Sequence, residues 1–221
     1  MQPGYSHIGD LPAELPIFPL TGVLLLPRGR LPLNIFEPRY LAMFDDAIAG
    51  SRLIGMIQPS TAKDDPADAA TPSGLYAVGC AGRITSFSET GDGRYMVALD
   101  GIARFRITEE RPLHRGYRRV VPDWTPFAVD LNEEDASIDR ARLIELLQAY
   151  FRQQQLSANW EAIGQAPDER LLTSLAMVCP FAPSEKQALL EADCLSDRAR
   201  LMMALLEIAI AGDGEGDRPL N

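Results

Sequence analysis

Apolar residues change their spacing near the middle of this chain. Up to about residue 125 they come in short runs broken by turn-forming residues; from about residue 133 they recur every three or four positions. The first pattern predicts strands and the second predicts helices. In the first half, Ile17-Phe18, the run 23–26 and the run 31–36 are interrupted by Pro19, Pro27 and Pro32. Proline cannot donate to a ladder, so these are predicted as edge or irregular strands. Residues 53–57 form another short strand. Residues 75–87 predict a long strand bent at Gly79 and Gly82, turning at 90–93 and returning over 94–99. Asp100-Gly101 carries the signature of a two-residue hairpin turn, which needs positive φ at both positions. Over 102–108 the alternation points Phe105 and Ile107 inward. One helix interrupts this half. It opens at Glu37-Pro38, buries a stripe of Leu41, Phe44 and Ile48, and closes at Gly50. Residues 60–73 have no apolar periodicity and predict a surface loop.

In the second half, Leu143, Leu146, Leu147, Tyr150 and Phe151 share one helix face, and Leu171, Leu175 and Val178 share the next. Ser184 with Gln187 reads as a capping box. Ser196 is placed to cap a last helix that turns Leu201, Leu205 and Ile208 inward and ends at Gly212. The acidic tail 213–221 is expected to fray. The expectation is an α+β chain: a β-rich part over 11–125 and a bundle of about four helices over 133–212. The joint at 126–135 suits a hinge or a fixed connection equally.

Composition narrows the class. With 46% hydrophobic and 24% charged residues among 221, a real core is possible. No apolar run approaches the ~20 residues that span a bilayer. Residues 1–10 lack the basic and apolar regions of a signal peptide. Cys80, Cys179 and Cys194 have no metal-binding or redox spacing and read as reduced, buried thiols, which points to a cytoplasmic setting. The net charge of -10 is uneven: residues 1–130 carry -2 and residues 131–221 carry -8. That excess of acid argues against a general nucleic-acid footprint.

Catalytic patterns are missing. No Gly-Lys pair exists, so the phosphate-cradling Walker A loop cannot form. Ser184 and Lys186 are the nearest serine–lysine pair, and two residues apart on a helix they diverge. His7 and His114 have no metal-ligand spacing with the cysteines or acids. A Cys–His nucleophile would need His114 to meet a cysteine in space, and core cysteine is the better reading. No cofactor, no metal and no enzymatic activity are expected. The remaining cluster is Arg104, Arg106, Arg111, Arg115, Arg118 and Arg119. It is either an anion-binding strand face or a solvated sheet exterior. The sparse aromatic interleaving favours the exterior.

At this point the residues carry a resemblance. Leu15-Pro-Ile-Phe-Pro-Leu20, Val23-Leu24, Leu26-Pro27 and Leu31-Pro-Leu-Asn-Ile-Phe-Glu-Pro-Arg-Tyr40 are similar to the opening of the Lon N-terminal domain family. Residues 79–84, Asp92-Gly-Arg-Tyr95 and Gly101-Ile-Ala-Arg-Phe-Arg106 resemble its later β-region. Glu185-Lys-Gln-Ala-Leu-Leu-Glu191 and Arg198-Ala-Arg-Leu201 resemble its helical part. The likeness covers roughly 12–211. It implies a PUA-like β-barrel with one inserted helix, followed by a C-terminal α-helical bundle. It also implies a substrate-binding role, here in a stand-alone relative without the ATPase and peptidase.

The implied partners are unfolded or tagged polypeptides, with a separate protease or ATPase as a further partner, in protein quality control. Proline-broken edge strands offer backbone to an added strand, and the junction of the two halves is the natural place for an apolar patch. Candidate liners are Leu33, Phe36, Tyr40, Tyr76 and Met96, each with ordinary core burial as its competing reading. Glu37 and Arg39 read equally as cap and tether of the first helix. The alternative function is an RNA- or nucleotide-binding domain using Arg104, Arg106, Arg115, Arg118 and Arg119. It requires these arginines to converge on one exposed face. The third, an unrecognised enzyme, requires a pocket where a cysteine or histidine meets an activating partner.

Overall fold

One strand organises the β half. In the computed structural model, which describes residues 5–60, 74–132 and 138–213, strand β5 (Tyr95–His114) runs unbroken for 20 residues and pairs with three others. Its first part lies between β2 (Arg30–Ile35) and β4 (Val78–Glu89). Its last part pairs with β6 (Tyr117–Asp123). β4 continues to β3 (Leu53–Ile57), β3 pairs in parallel with β1 (Leu15–Pro19), and β1 returns to β6. The six strands therefore form one mixed sheet that curls back on itself through β5.

The curl encloses an apolar cluster with Leu15, Ile17, Leu53, Phe105, Ile107, Val120 and Trp124. Phe105 and Ile107 point inward as predicted. Ile102 belongs to the same cluster, and on the opposite face Arg104 is buried where the helical half packs, while exposure begins at Arg106.

The turn prediction at Asp100-Gly101 is corrected. Both residues lie inside β5. A Cβ on Gly101 would stand 1.9 Å from the Leu26 carbonyl oxygen. The glycine serves close backbone approach: Gly101 N donates to Gly29 O, and Arg28 N donates to Gly101 O, both at 2.8 Å. The residue pair with positive φ at both positions is Arg115 (φ 49) and Gly116 (φ 87), joining β5 to β6. Gly82 does mark an irregularity, a register shift between Ala81 and Gly82. The run 23–26 forms no strand, although Leu24, Leu25 and Leu26 are buried.

Helix α1 (Pro38–Ala49) starts with Pro38 in its first turn and has Gly50 at its C-cap. Its buried residues are Tyr40, Met43, Phe44 and Ala47, while Leu41 and Ile48 are half-buried. The stripe is thus rotated by one residue from the predicted one. The helical half has five helices among the described residues: α2 (Arg140–Gln153), α3 (Trp160–Gln165), α4 (Asp168–Val178), α5 (Pro183–Glu191) and α6 (Leu195–Asp213). Leu143, Leu146, Leu147, Tyr150, Leu171, Leu175 and Leu205 are core residues as predicted. Val178 and Ile208 are exposed, because they lie toward helix ends where the apolar stripe has rotated away from the core. The capping prediction is also corrected. Ala182 is the N-cap of α5, and its amide donates to the Glu185 carboxylate at 2.7 Å, while Gln187 points into the core. Ser196 lies within the first turn of α6. The loop 61–73 and the tail beyond 213 lie outside the described residues.

Candidate functional site

The joint between the halves is filled rather than open. A single apolar cluster takes Phe18, Leu25, Ile35 and Phe44 from the β half and Leu147, Leu172, Leu189 and Met202 from the helices. Buried polar groups cross it. Gln58 Nε2 donates to Pro183 O at 3.0 Å and to Gln187 Oε1 at 3.2 Å, and Gln187 Nε2 donates to Val78 O at 3.0 Å. Lys186 Nζ donates to Gly22 O and Met177 O; burial holds this amine below the usual lysine range. The expected apolar groove between the halves is therefore interior. The connection over Thr125–Leu131 is a 3-10 helix whose Asp130 is buried against Arg104, so the described part of the joint is fixed.

Arg104 is the clearest case of a candidate used for structure. At 2% exposure, its guanidinium makes a two-pronged pair with Asp130: Nε to Oδ2 at 2.9 Å and Nη2 to Oδ1 at 2.8 Å. Its Nη1 donates to the carbonyls of Leu190 and Ala192 at the end of α5, and its charge lies over the Phe127 ring. The other arginines do not form an open cationic face. Arg118 is held by Glu110, Arg119 and Arg111 by Glu14, and Arg115 by Asp46. Arg106 is exposed, opposite Asp123 in the β5–β6 register. The convergence that anion binding requires is not present: one arginine is buried and four are neutralised by neighbouring carboxylates.

His114, Arg115 and Tyr117 all approach Asp46 of α1, at 3.6, 2.6 and 2.9 Å. Burial, and the hydrogen bond that Tyr117 gives to the Asp46 carboxylate, push the phenol up to about 12. Burial tends to raise the Asp46 carboxyl, but the bonds from Tyr117 and Arg115 outweigh it and lower it overall. This cluster ties α1 to the β5–β6 hairpin. The cysteines lie elsewhere. Cys80 is sealed in the sheet, with burial pushing its thiol far up. Burial takes Cys179 up to about 11. Half-buried Cys194 faces Asp197. Among the described residues no group of three or more His, Cys, Asp or Glu side chains is arranged to hold a metal.

The apolar candidates divide by burial. Leu33 is buried in the core, and Tyr40 packs on Phe18 at 4.3 Å between ring centroids. Half-buried Tyr76 precedes Val78, whose partner on β5 is Arg106, past the middle of that strand and well away from Met96 near its start. Phe36 and Met96 remain, exposed at 63% and 46%. Asn34 pairs with Met96 and Ile35 with Tyr95, and Arg94 lies 5.9 Å from the Phe36 ring centre. Phe36 and Met96 are therefore diagonal neighbours on one outer face, within reach of a shared ligand. Phe36 directly follows the sheet-edge strand β2, and Met96 lies on its partner β5. Glu37 and Arg39 pair with each other at 2.8 Å beside the start of α1, which is their tethering role. The signal missed in sequence was Phe87, 44% exposed and edge-on to Tyr95, which reads as one more inward strand residue.

This curled mixed sheet, capped by a helical half and exposing apolar residues at a strand edge, has the form of a binding module. The family model for the ATP-dependent protease La (LON) substrate-binding domain matches residues 14–207, and the chain belongs to that family. It is 28% identical over 207 residues to Lon protease 2 of Myxococcus xanthus, which covers 92% of this chain and 24% of the relative. It is 27% identical over 200 residues to Lon protease of Anaeromyxobacter dehalogenans, covering 89% and 23%. The chain thus spans about a quarter of the length of these relatives. Two solved structures share the fold. A Lon N-terminal domain protein from Xanthomonas campestris has a TM-score of 0.58 at 23% identity, covering 86% of this chain and 97% of that one. The N-terminal domain of Mycobacterium avium complex Lon protease has a TM-score of 0.60 at 18% identity, covering 88% and 98%.

Proposed function

We propose that this chain is a non-catalytic polypeptide-binding module that acts in protein quality control in the cytoplasm, recognising unfolded or tagged polypeptides for a protease or ATPase. Membership of the substrate-binding family supports the general role. The observation that carries the reading is the exposed pair Phe36 and Met96 at the tip of β2 and β5. Large side chains are normally buried, and two sharing an outer face give an extended chain a place to anchor its own apolar residues.

The test is fluorescence anisotropy with a labelled, permanently unfolded polypeptide and with a labelled RNA of similar size. The wild type is expected to bind the polypeptide saturably. The double variant F36S/M96S should bind it at least ~10-fold more weakly, the loss expected for apolar anchors. Its unfolding midpoint should hardly move, since exposed substitutions stay within about 0.5 kcal/mol. Equal binding by the variant, or tighter and salt-sensitive binding to RNA, would overturn the reading.

A further inference from the structure

β4 outruns its neighbour. β3 accompanies it only from Cys80 to Arg83, and the last link on that side is Ile84 N donating to Arg52 O at 2.9 Å. Beyond that point β5 is the partner of β4 on one side alone: residues 86–89 pair with it, Thr85 sits in the register shift between Ile84 and Ser86, and all five side chains over 85–89 are exposed. Alternate residues of a strand direct their amide and carbonyl away from its partner, so this stretch carries an open edge among the described residues. A pocket of about 220 Å³ lies against it, lined by Ile48, Arg52, Ile84, Thr85, Ser86 and Phe87. Ile48, Ile84 and Phe87 supply apolar wall. Arg52 supplies charge, and it makes no ion pair among the described residues. It is also held in place: its φ is 60, and its amide donates to Ala47 O at the end of α1.

Direction decides what can occupy this edge. β3 is antiparallel to β4, with Leu53 opposite Arg83 and Ile54 opposite Gly82. A guest strand antiparallel to residues 85–89 would run in line with β3 and towards it. Its carboxyl end would arrive at Arg52 and could go no further along the edge, because β3 already occupies it. A guest in the parallel sense would bring its amino end, a second positive charge, to the same arginine. We infer that the edge of β4 at residues 85–89, with Arg52 and the pocket beside it, captures the C-terminal end of a polypeptide as an added strand. The terminal carboxylate pairs with Arg52, and an apolar side chain near the terminus enters the pocket between Ile48, Ile84 and Phe87. This rests on the polypeptide-binding reading and adds to it a second contact, specific for a free, apolar C-terminus.

The probe is a short N-terminally labelled peptide of alternating serine and leucine ending in leucine, made with a free carboxylate and as the C-terminal amide. Anisotropy on the wild type should favour the acid by about tenfold, the worth of a charge-assisted hydrogen bond. R52Q should weaken the acid by the same factor and abolish the difference between acid and amide, whereas R52K should retain part of it. Methylating alternate peptide amides should weaken both forms by removing ladder bonds. Equal binding of acid and amide to the wild type, or undiminished discrimination by R52Q, overturns the inference. If that occurs while the unfolded polypeptide still binds through Phe36 and Met96, only this inference fails. If neither the peptides nor the unfolded polypeptide binds, the polypeptide-binding reading fails with it.

Discussion

Replacing Asp130 with alanine separates the two readings of the arginine-rich strand most directly. The Asp130 carboxylate accepts three hydrogen bonds from Arg104: one from its amide at 2.9 Å, one from Nε at 2.9 Å and one from Nη2 at 2.8 Å. Without it, a guanidinium at 2% exposure loses its carboxylate counter-charge while still donating to the Leu190 and Ala192 carbonyls at 3.2 and 2.6 Å. Removing one partner of a buried pair costs ~3–5 kcal/mol, because the other charge is left uncompensated. Arg104→Met keeps the stem volume but strands the carboxylate and uncaps the end of α5, so a loss in the same range is expected. In the double variant R104M/D130A neither member of this buried pair remains charged. Its cost should fall short of the summed singles by at least ~2 kcal/mol, the coupling expected of directly bonded groups. What remains is the loss of acceptors and donors at Leu190, Ala192 and the residue 104 amide, at about 1–3 kcal/mol per unsatisfied group.

The assay is equilibrium unfolding in urea, followed by far-ultraviolet circular dichroism and by tryptophan fluorescence, since Trp124 adjoins the Thr125–Leu131 connection. For a domain stable by ~5–15 kcal/mol, D130A should lower the midpoint substantially at unchanged slope. The reasoning is refuted if either single variant costs less than about 1 kcal/mol, or if the two losses simply add. A stable R104M that loses RNA binding would restore the anion-binding role that the burial of Arg104 argues against.

Further outcomes follow from the same structure. Gly101→Ala places a methyl 1.9 Å from the Leu26 carbonyl oxygen and is expected to cost about 3 kcal/mol in the same urea assay; a neutral substitution would mean that the 26–29 segment yields. With a thiol-specific chromogenic reagent at pH 8, half-buried Cys194 should react promptly, while Cys80 and Cys179 wait for unfolding; three fast thiols would contradict the packing. Tyr117 should ionise near pH 12 in an ultraviolet titration. Its folded pKa is raised, so its contribution to stability is full below the ordinary value of ~10 and is lost as pH rises through about 12. Asp46→Ala should bring the ionisation down, and an unchanged titration would rule out the hydrogen bond as a cause. The lowered Asp46 carboxyl acts at the other end of the scale. Its contribution is present above the ordinary aspartate value of ~3.9 and disappears as pH falls through its lower folded value, which carboxyl-detected NMR can follow.

Much of the fold was legible because period-two and period-three-to-four spacing carry it directly. Phe105 and Ile107 inside the sheet, Pro38 opening α1, and the Leu143, Leu146, Leu147 face all read correctly from spacing. The misplaced hairpin shows what spacing leaves out. Asp-Gly and Arg-Gly both permit positive φ, and glycine also serves where two backbones touch. Residues 100–101 use it for contact with residues 26–29, while residues 115–116 use it for the turn. Long-range approach of this kind leaves no local signature. Buried arginine is illegible for the same reason. Arg104 and Arg106 sit two apart on one strand face, and only the packing of α5 and the Thr125–Leu131 connection over one of them distinguishes core from surface. The separation of buried Leu33 from exposed Phe36 was a matter of parity, which the sequence did contain. Leu33 and Phe36 are an odd number of strand positions apart, so they could not line the same surface.

The filled joint constrains where recognition can occur. Gln58, Gln187, Lys186 and Arg104 place buried polar bonds across it, and opening it would strand several of them at once. A ligand would therefore have to supply far more than the few kcal/mol that separate conformers in ordinary switching. Binding without unfolding is left to surfaces that are already open, and these gather where β2, the first part of β5 and the last part of β4 extend beyond β3. This tip has two edges, and both carry protective features: Pro32 removes a donor from β2, and the register shift between Ile84 and Ser86 disturbs β4. Such features suppress indefinite pairing with other sheets while still admitting a single short strand. Apolar side chains standing on guarded edges, Phe36 with Met96 on one side and Phe87 on the other, are what a binder of transient extended chains requires. An edge open enough to hold such a chain and long enough to propagate would aggregate with its own substrates.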